Sequence, residues 1–72
     1  MLTLRSLRQQ KGLSIMDVAE KVGVQRQTVY QWERGETLPT LRKLVSLESV
    51  YGDDLIEAVR GTMKESGRWN KE

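Results

Sequence analysis

The chain has 72 residues and a formal net charge of +2, and it contains neither cysteine nor histidine. This length suits one small domain, and the composition excludes disulfides, thiolate metal sites and histidine-dependent catalysis. We therefore expect no enzyme and neither a metal nor another cofactor. No apolar run reaches the roughly 20 residues of a membrane-spanning helix, so we expect a cytoplasmic protein with no membrane partner.

Basic residues are concentrated in the first part of the chain. Residues 1–44 contain eight lysines and arginines and four acidic residues, whereas residues 45–72 contain four basic and six acidic residues. The N-terminal part is thus the better candidate for binding a polyanion such as a nucleic acid.

Two short helices are predicted in the first 23 residues. Thr3 can cap a helix through "LRSLRQQK", which Gly12 ends. Ser14 and Asp17 have the spacing of a capping box and open a second helix, "SIMDVAEKVG". Gly23 at its end supplies the positive φ of a tight turn.

A third helix is predicted from about residue 25 to residue 34. At about 100° per residue, Val29 and Trp32 point towards the core. Gln27, Tyr30, Gln31 and Arg34 lie on the opposite side. Small Ala19, four residues before the turn glycine, allows the second and third helices to approach closely, which is the spacing of a helix-turn-helix.

Two more helices are predicted after Pro39. "TLRKLVSLESVYG" repeats an apolar residue every three positions, and "DDLIEAVRG" begins with Asp53 and Asp54, which we expect to cap the fifth helix. The sequence therefore predicts an all-α domain at residues 1–60, followed by a polar tail at residues 61–72 that either frays or extends the last helix.

The polar face of the third helix has the chemistry of a base-reading surface. A glutamine amide can bond adenine N6 and N7, and an arginine can bond guanine O6 and N7. The alternative is an ordinary solvated helix face, because glutamine and arginine also favour helix formation.

The segment "SIMDVAEKVGVQRQTVYQWERGETLPTLRKLVSLESVYG" resembles the lambda-repressor-like (Cro-type) helix-turn-helix family of small phage and bacterial regulators. The resemblance covers residues 3 to about 60. It implies a five-helix domain, with its helix-turn-helix at about residues 14–34, that binds double-stranded operator DNA as a homodimer.

The resemblance also implies roles for individual residues. The residues implied to contact bases are Arg26, Gln27, Thr28 and Gln31, and those implied to contact phosphates are Ser14, Arg34, Thr40, Arg42 and Lys43. Arg8 and Glu33 match a structural ion pair of the family. Tyr30 either bonds a phosphate, contacts a thymine methyl or covers its neighbours on the helix.

Two residues depart from the family pattern. Ile15 stands where glutamine is common, and its side chain cannot bond a phosphate. Glu36 stands where a basic residue is common, so its charge opposes the DNA backbone. Each lost phosphate contact lowers the salt dependence of binding, which favours a weak and strongly sequence-dependent binder.

Several apolar residues are candidates for a protein interface. Ile15 and Met16 form either an exposed apolar spot or part of the core. The set Val50, Tyr51, Leu55 and Val59 either pairs two subunits or packs within one. Trp69 is either disordered or packed against a dimer or partner surface.

The sequence thus predicts a DNA-binding regulator, specifically a small Cro-like repressor on a palindromic operator. The alternative is an antirepressor or antitoxin of the same fold that acts by binding a partner repressor or toxin.

Overall fold

The computed structural model describes residues 1–67, which are helical and contain no strand. Five α-helices follow one another, and a 3₁₀ turn at Gly52–Asp54 joins the last two. They are α1 (Leu4–Gln10), α2 (Ile15–Val22), α3 (Arg26–Glu33), α4 (Leu41–Tyr51) and α5 (Leu55–Ser66). The predicted all-α fold is confirmed. None of these helices is long and apolar enough to cross a membrane.

Capping boxes begin the first two helices at the predicted N-cap residues, Thr3 and Ser14, although the sequence predicted the box itself only for Ser14. The Thr3 hydroxyl accepts a bond from the Ser6 N–H at 3.1 Å, and the Ser6 hydroxyl accepts from the Thr3 N–H at 2.9 Å. Ser14 and Asp17 exchange the same two bonds at 3.0 and 2.9 Å. These bonds satisfy N–H groups that a first helical turn leaves without a backbone partner.

The turn between α2 and α3 depends on Gly23 and Ala19. Gly23 adopts a φ of 79°, a conformation that costs other residues roughly 1 kcal/mol or more. The Ala19 carbonyl accepts from the N–H groups of Gly23 and Val24 at 2.8 and 3.0 Å. Ala19 is itself buried, so its small side chain permits the close approach of α3.

One face of every helix contributes to a single core. Val18 and Ala58 are fully buried, and Leu7 and Leu47 nearly so. The remaining core residues are Leu4, Ala19, Val22, Val29, Trp32, Tyr51 and Leu55. Burial of each large apolar side chain contributes about 1.5–3 kcal/mol.

The start of α5 differs from the sequence expectation. Asp54 occupies the N-cap position, but its side chain forms no cap hydrogen bond. The preceding 3₁₀ turn runs directly into the helix, and the Leu55 N–H donates to the Gly52 carbonyl instead. Asp53 and Asp54 are therefore not capping residues in the hydrogen-bonding sense, and they act only through their charge near the helix N-terminus.

Helix α5 continues past residue 60 and packs against the first residues of the chain. Gly61 and Thr62 are buried. The Thr62 hydroxyl accepts from the Leu4 N–H and donates to the Ala58 carbonyl, both at 2.9 Å. A buried polar bridge thus joins α5 to the start of α1.

Gly61 is a residue where the smallest side chain is needed. A Cβ there would overlap the carbonyl oxygen of Leu2. We predict that Gly61→Ala lowers the free energy of unfolding by about 1–3 kcal/mol, although alanine is normally favoured over glycine by about 1 kcal/mol inside a helix. Lys64→Ala, at an exposed position of α5, is the control. Urea denaturation measures both variants, and equal stabilities would contradict the close approach.

Candidate nucleic-acid interface

Helix α3 is held by its apolar side. Val29 and Trp32 are 2% and 5% exposed, and they lie three positions apart on the face that meets the core. Val24, in the turn before α3, is partly buried against the same core. These residues fix the orientation of the helix, and the core does not need the side chains on its opposite side for packing.

Among the residues that the sequence implied for base contact, Gln27 and Gln31 lie on the opposite side of α3, and Arg26 and Thr28 lie at the edges of that side. Arg26 and Gln27 are exposed, and Thr28 and Gln31 are half-buried. Gln27 and Gln31 are neighbours on the helix surface because they are four residues apart. Within residues 1–67, none of these four side chains is engaged in a hydrogen bond or ion pair. Their donors and acceptors are therefore available to a ligand.

An open groove runs along one flank of this surface. Arg26, Tyr30 and Arg34 line it from α3, and its other wall comes from α1 and the start of α2. The residues on that wall include Arg5, Gln9, Ser14, Ile15 and Met16. Four arginines (Arg5, Arg8, Arg26 and Arg34) and two glutamates (Glu33 and Glu65) line the groove, so its charge is basic on balance.

The N-terminus of α2 has an acidic residue beside the implied phosphate contact. The Ser14 hydroxyl is used as an acceptor in the capping box, and the Asp17 carboxylate accepts from the Ser14 N–H. This backbone hydrogen bond lowers the pKa of Asp17, so the carboxylate is charged at neutral pH. A negative charge here offsets part of the attraction of a helix N-terminus for phosphate.

Arg34, also implied to contact phosphate, is paired with Glu36. Its Nε and Nη2 donate to the two carboxylate oxygens of Glu36 at 2.8 and 3.3 Å. The side chains are 50% and 35% exposed. The Arg34 guanidinium also lies 6.0 Å from the centre of the Tyr30 ring. The sequence expectation placed Glu36 against DNA and missed this pair, although opposite charges two residues apart around a glycine could have indicated it.

The start of α4 uses two of its three implied phosphate contacts within the protein. The Thr40 hydroxyl accepts from the Lys43 N–H at 3.3 Å and caps the helix. The Lys43 ammonium donates to the Val22 carbonyl at 3.3 Å, at the C-terminus of α2. Arg42 is exposed, so it is the cation at this end that remains available.

Arg8 and Glu33 form the ion pair that the resemblance implied. Arg8 Nε and Nη2 donate to the two Glu33 carboxylate oxygens at 2.6 and 3.2 Å, and Nη1 donates to the Leu13 carbonyl at 3.0 Å. The side chains are only 12% and 8% exposed. The hydrogen bond to Glu33 raises the pKa of Arg8. The pair joins α1, the following turn and the end of α3.

Ile15 and Met16 have different environments. Ile15 is partly buried and packs against the core, whereas Met16 is 48% exposed. The core alternative therefore applies to Ile15, and only Met16 presents a substantial apolar surface in the groove.

The sequence left two uses open for Val50, Tyr51, Leu55 and Val59, pairing of subunits or packing within one subunit. Tyr51 and Leu55 are 2% and 3% exposed, so they are core residues with almost no surface to offer a partner. Burial raises the pKa of Tyr51 to about 12. Val50 and Val59 are partly buried and pack against the same core.

A different apolar surface is exposed on these helices. Leu41, Val45 and Ile56 are 78%, 62% and 51% exposed, and they line one shallow depression with Glu48 and Asp53 at its edge. We call these three apolar residues the α4–α5 patch. A helical wheel could have found it, because Val45 lies about 160° around α4 from buried Leu47. Trp69, the other candidate, lies outside the described residues.

The family model and three known proteins that match this chain are all of the helix-turn-helix type. A family model described as helix-turn-helix matches residues 4–55. A protein of Pyrobaculum aerophilum with the provisional name HTH-type transcriptional regulatory protein is 40% identical over 57 residues, which cover 79% of this chain and 23% of that protein. Proteins with the same type of name from Pyrococcus furiosus and Saccharolobus islandicus are 32% and 38% identical, and the matches cover 78% and 74% of this chain.

This chain spans less than a quarter of the length of each of these relatives, since the matches cover 23%, 18% and 17% of them. No solved structure gives a significant match.

The two arginine–glutamate pairs provide a matched test of burial. We predict that Glu33→Gln lowers the free energy of unfolding by about 3 kcal/mol, because it leaves the Arg8 charge buried without its partner. Glu36→Gln removes the same charge from an exposed pair, and its effect should be below about 1 kcal/mol. Urea denaturation measures both, and equal losses would contradict the structural role of the buried pair.

Proposed function

Because the chain belongs to the helix-turn-helix family, we propose that it is a non-enzymatic, sequence-specific DNA-binding regulator that acts in the cytoplasm. The observation that carries the proposal is the arrangement of buried and exposed side chains on α3. Its buried side is fixed in the core, while Gln27 and Gln31 are presented on its outer side without partners in residues 1–67. This is the arrangement that a helix needs to enter the major groove.

The chemistry of the outer side supports base reading. Gln27 and Gln31 can each bond adenine N6 and N7, and Arg26 can bond guanine O6 and N7. Thr28 offers a methyl group and a hydroxyl, which suit a thymine methyl or a polar base edge. Each good bidentate contact contributes about 1–3 kcal/mol to discrimination between bases.

Contacts to phosphates position α3 in this proposal. Arg42 supplies charge, Arg34 supplies it where a phosphate displaces Glu36, and Ser14, Thr40 and Tyr30 supply hydroxyl groups. Lys43 contributes less than the sequence suggested, because its ammonium already bonds the Val22 carbonyl. Because Arg34 and Lys43 are already bonded within the protein, binding relies more on base contacts than it would if every implied phosphate contact were uncommitted.

We further propose that two copies bind a palindromic operator and repress transcription by occupying it, as a Cro-like repressor does. The α4–α5 patch supports pairing, because exposed apolar residues grouped on one surface favour association. On such an operator the two α3 helices would be about 34 Å apart.

A second candidate function is binding to a partner protein, as an antirepressor or antitoxin. Met16 and Tyr30 favour it, since they are 48% and 45% exposed and line the same groove. A repressor or toxin that covered this groove would also cover the flank of α3. This candidate predicts tight co-elution with a neighbouring gene product and no binding to random duplex DNA.

Glutamine substitutions test the reading surface. We predict that Gln27→Ala and Gln31→Ala each relax specificity at one base position, at a cost of about 1–3 kcal/mol on the preferred site. Arg42→Ala should instead weaken binding to all sequences and reduce the log–log salt slope by about 0.9. Affinity measurements on a duplex selected from genomic fragments, and on its point variants, check this. Equal binding by wild type and both glutamine variants would reject the assignment.

The α4–α5 patch is tested by a charged substitution. We predict that Val45→Asp raises the dimer dissociation constant at least tenfold without unfolding the protein, because Val45 is 62% exposed and a buried charge opposes pairing. Met16→Asp, on the groove side, should leave dimerisation unchanged. Sedimentation equilibrium measures both, and a wild type that stays monomeric at all concentrations would reject pairing through this patch.

A further inference from the structure

The pair formed by Arg34 and Glu36 lies at one end of the proposed reading surface. Arg34 is seven residues after Gln27 and three after Gln31, so the three side chains share one side of α3 as it ends. Arg34 also lines the groove with Arg26 and Tyr30. A cation at this place is well situated to meet a DNA phosphate.

The backbone holds Glu36 beside that cation. The Glu36 N–H donates to the Gln31 carbonyl at 2.9 Å, which closes the chain back onto the end of α3. Gly35 makes this return possible with a φ of 74°, and a Cβ at Gly35 would clash with Ser66. The turn therefore fixes the backbone of Glu36 beside the end of α3, and this places its side chain within reach of Arg34.

The carboxylate occupies the edge of Arg34 that would bind a phosphate. Glu36 accepts from Nε and Nη2, the paired N–H donors with which an arginine can bind either a carboxylate or a phosphate in a bidentate manner. Both groups are substantially exposed, so the pair is weak and its partner can be exchanged. A DNA phosphate approaching Arg34 meets both an occupied donor edge and a like charge.

We propose that Glu36 is an affinity-limiting residue, an internal carboxylate that competes with DNA phosphate for Arg34 and so lowers sequence-independent binding. The inference rests on the proposed DNA-binding function and adds to it a competition between one carboxylate and DNA phosphate. Its consequence is that Arg34 contributes little to the binding of arbitrary DNA while Glu36 is charged and in place. Recognition then depends more heavily on Arg26, Gln27 and Gln31.

A double-mutant cycle tests the competition, with a random-sequence 20-base-pair duplex as the probe. We expect Glu36→Gln to bind this duplex about three- to tenfold more tightly than wild type at low salt, with a log–log salt slope steeper by about 0.9. Between 50 and 200 mM salt, the gain should shrink by about threefold. Glu57→Gln, which removes the same charge from an exposed position of α5, is the control and should show a smaller gain with no change in slope.

Arg34→Ala provides the second arm of the cycle. It should change the affinity of wild type by less than about twofold, but it should abolish the gain in the Glu36→Gln background. Glu36→Ala should behave as Glu36→Gln does, and thermal unfolding by circular dichroism establishes that each variant is folded.

Three results would overturn the inference. If Glu57→Gln tightened DNA binding as much as Glu36→Gln does, the gain would be a general effect of removing one negative charge. Weaker binding by Glu36→Gln would show that the carboxylate orients Arg34 for DNA. If Arg34→Ala weakened binding to the duplex equally in the wild-type and Glu36→Gln backgrounds, Arg34 would bind phosphate despite Glu36. By contrast, an absence of DNA binding by every variant would reject the proposed function itself.

Discussion

The position of α3 depends on the buried ion pair between Arg8 and Glu33. Through three hydrogen bonds, the Arg8 guanidinium connects α1, the Leu13 carbonyl in the following turn and the end of α3. The net energy of a buried pair is small, because desolvation nearly cancels the attraction. Its importance lies in geometry, since loss of either partner leaves a buried charge. With Trp32 packed beside it, the pair fixes one side of α3 and leaves the other side without a structural task.

The polar groups around α3 divide into two classes. The side chains of Arg26, Gln27 and Gln31 have no partner within residues 1–67, whereas four of the five flanking residues implied to contact phosphate, all but Arg42, are engaged inside the protein. Arg34 bonds Glu36, and Lys43 bonds the Val22 carbonyl. This division links the fold to the proposed function. A protein with an available reading surface and occupied flanking cations would bind weakly to arbitrary DNA and gain most of its affinity from base contacts.

The sequence predicted the helices because their signals are local. The capping boxes and the Gly23 turn involve residues at most five positions apart, and the expected ends of α2 lie within a residue of those observed. What the sequence left open or did not predict involves contacts that periodicity alone cannot assign. Tyr51 and Leu55 fit an apolar pattern, but only the packing of α4 against α5 reveals that they are buried. The need for glycine at position 61 depends on Leu2, which is 59 residues away.

In the proposed function, the outer side of α3 is the surface that contacts DNA bases. The most direct measurement follows the side-chain amide resonances of the glutamines by nuclear magnetic resonance, as labelled protein is titrated with a duplex selected from genomic fragments. We expect large shifts of the side-chain amide resonances of Gln27 and Gln31, and unchanged resonances for Gln10, which is exposed on α1. Shifts confined to Gln9, on the α1 wall of the groove, with Gln27 and Gln31 unmoved, would contradict this proposal.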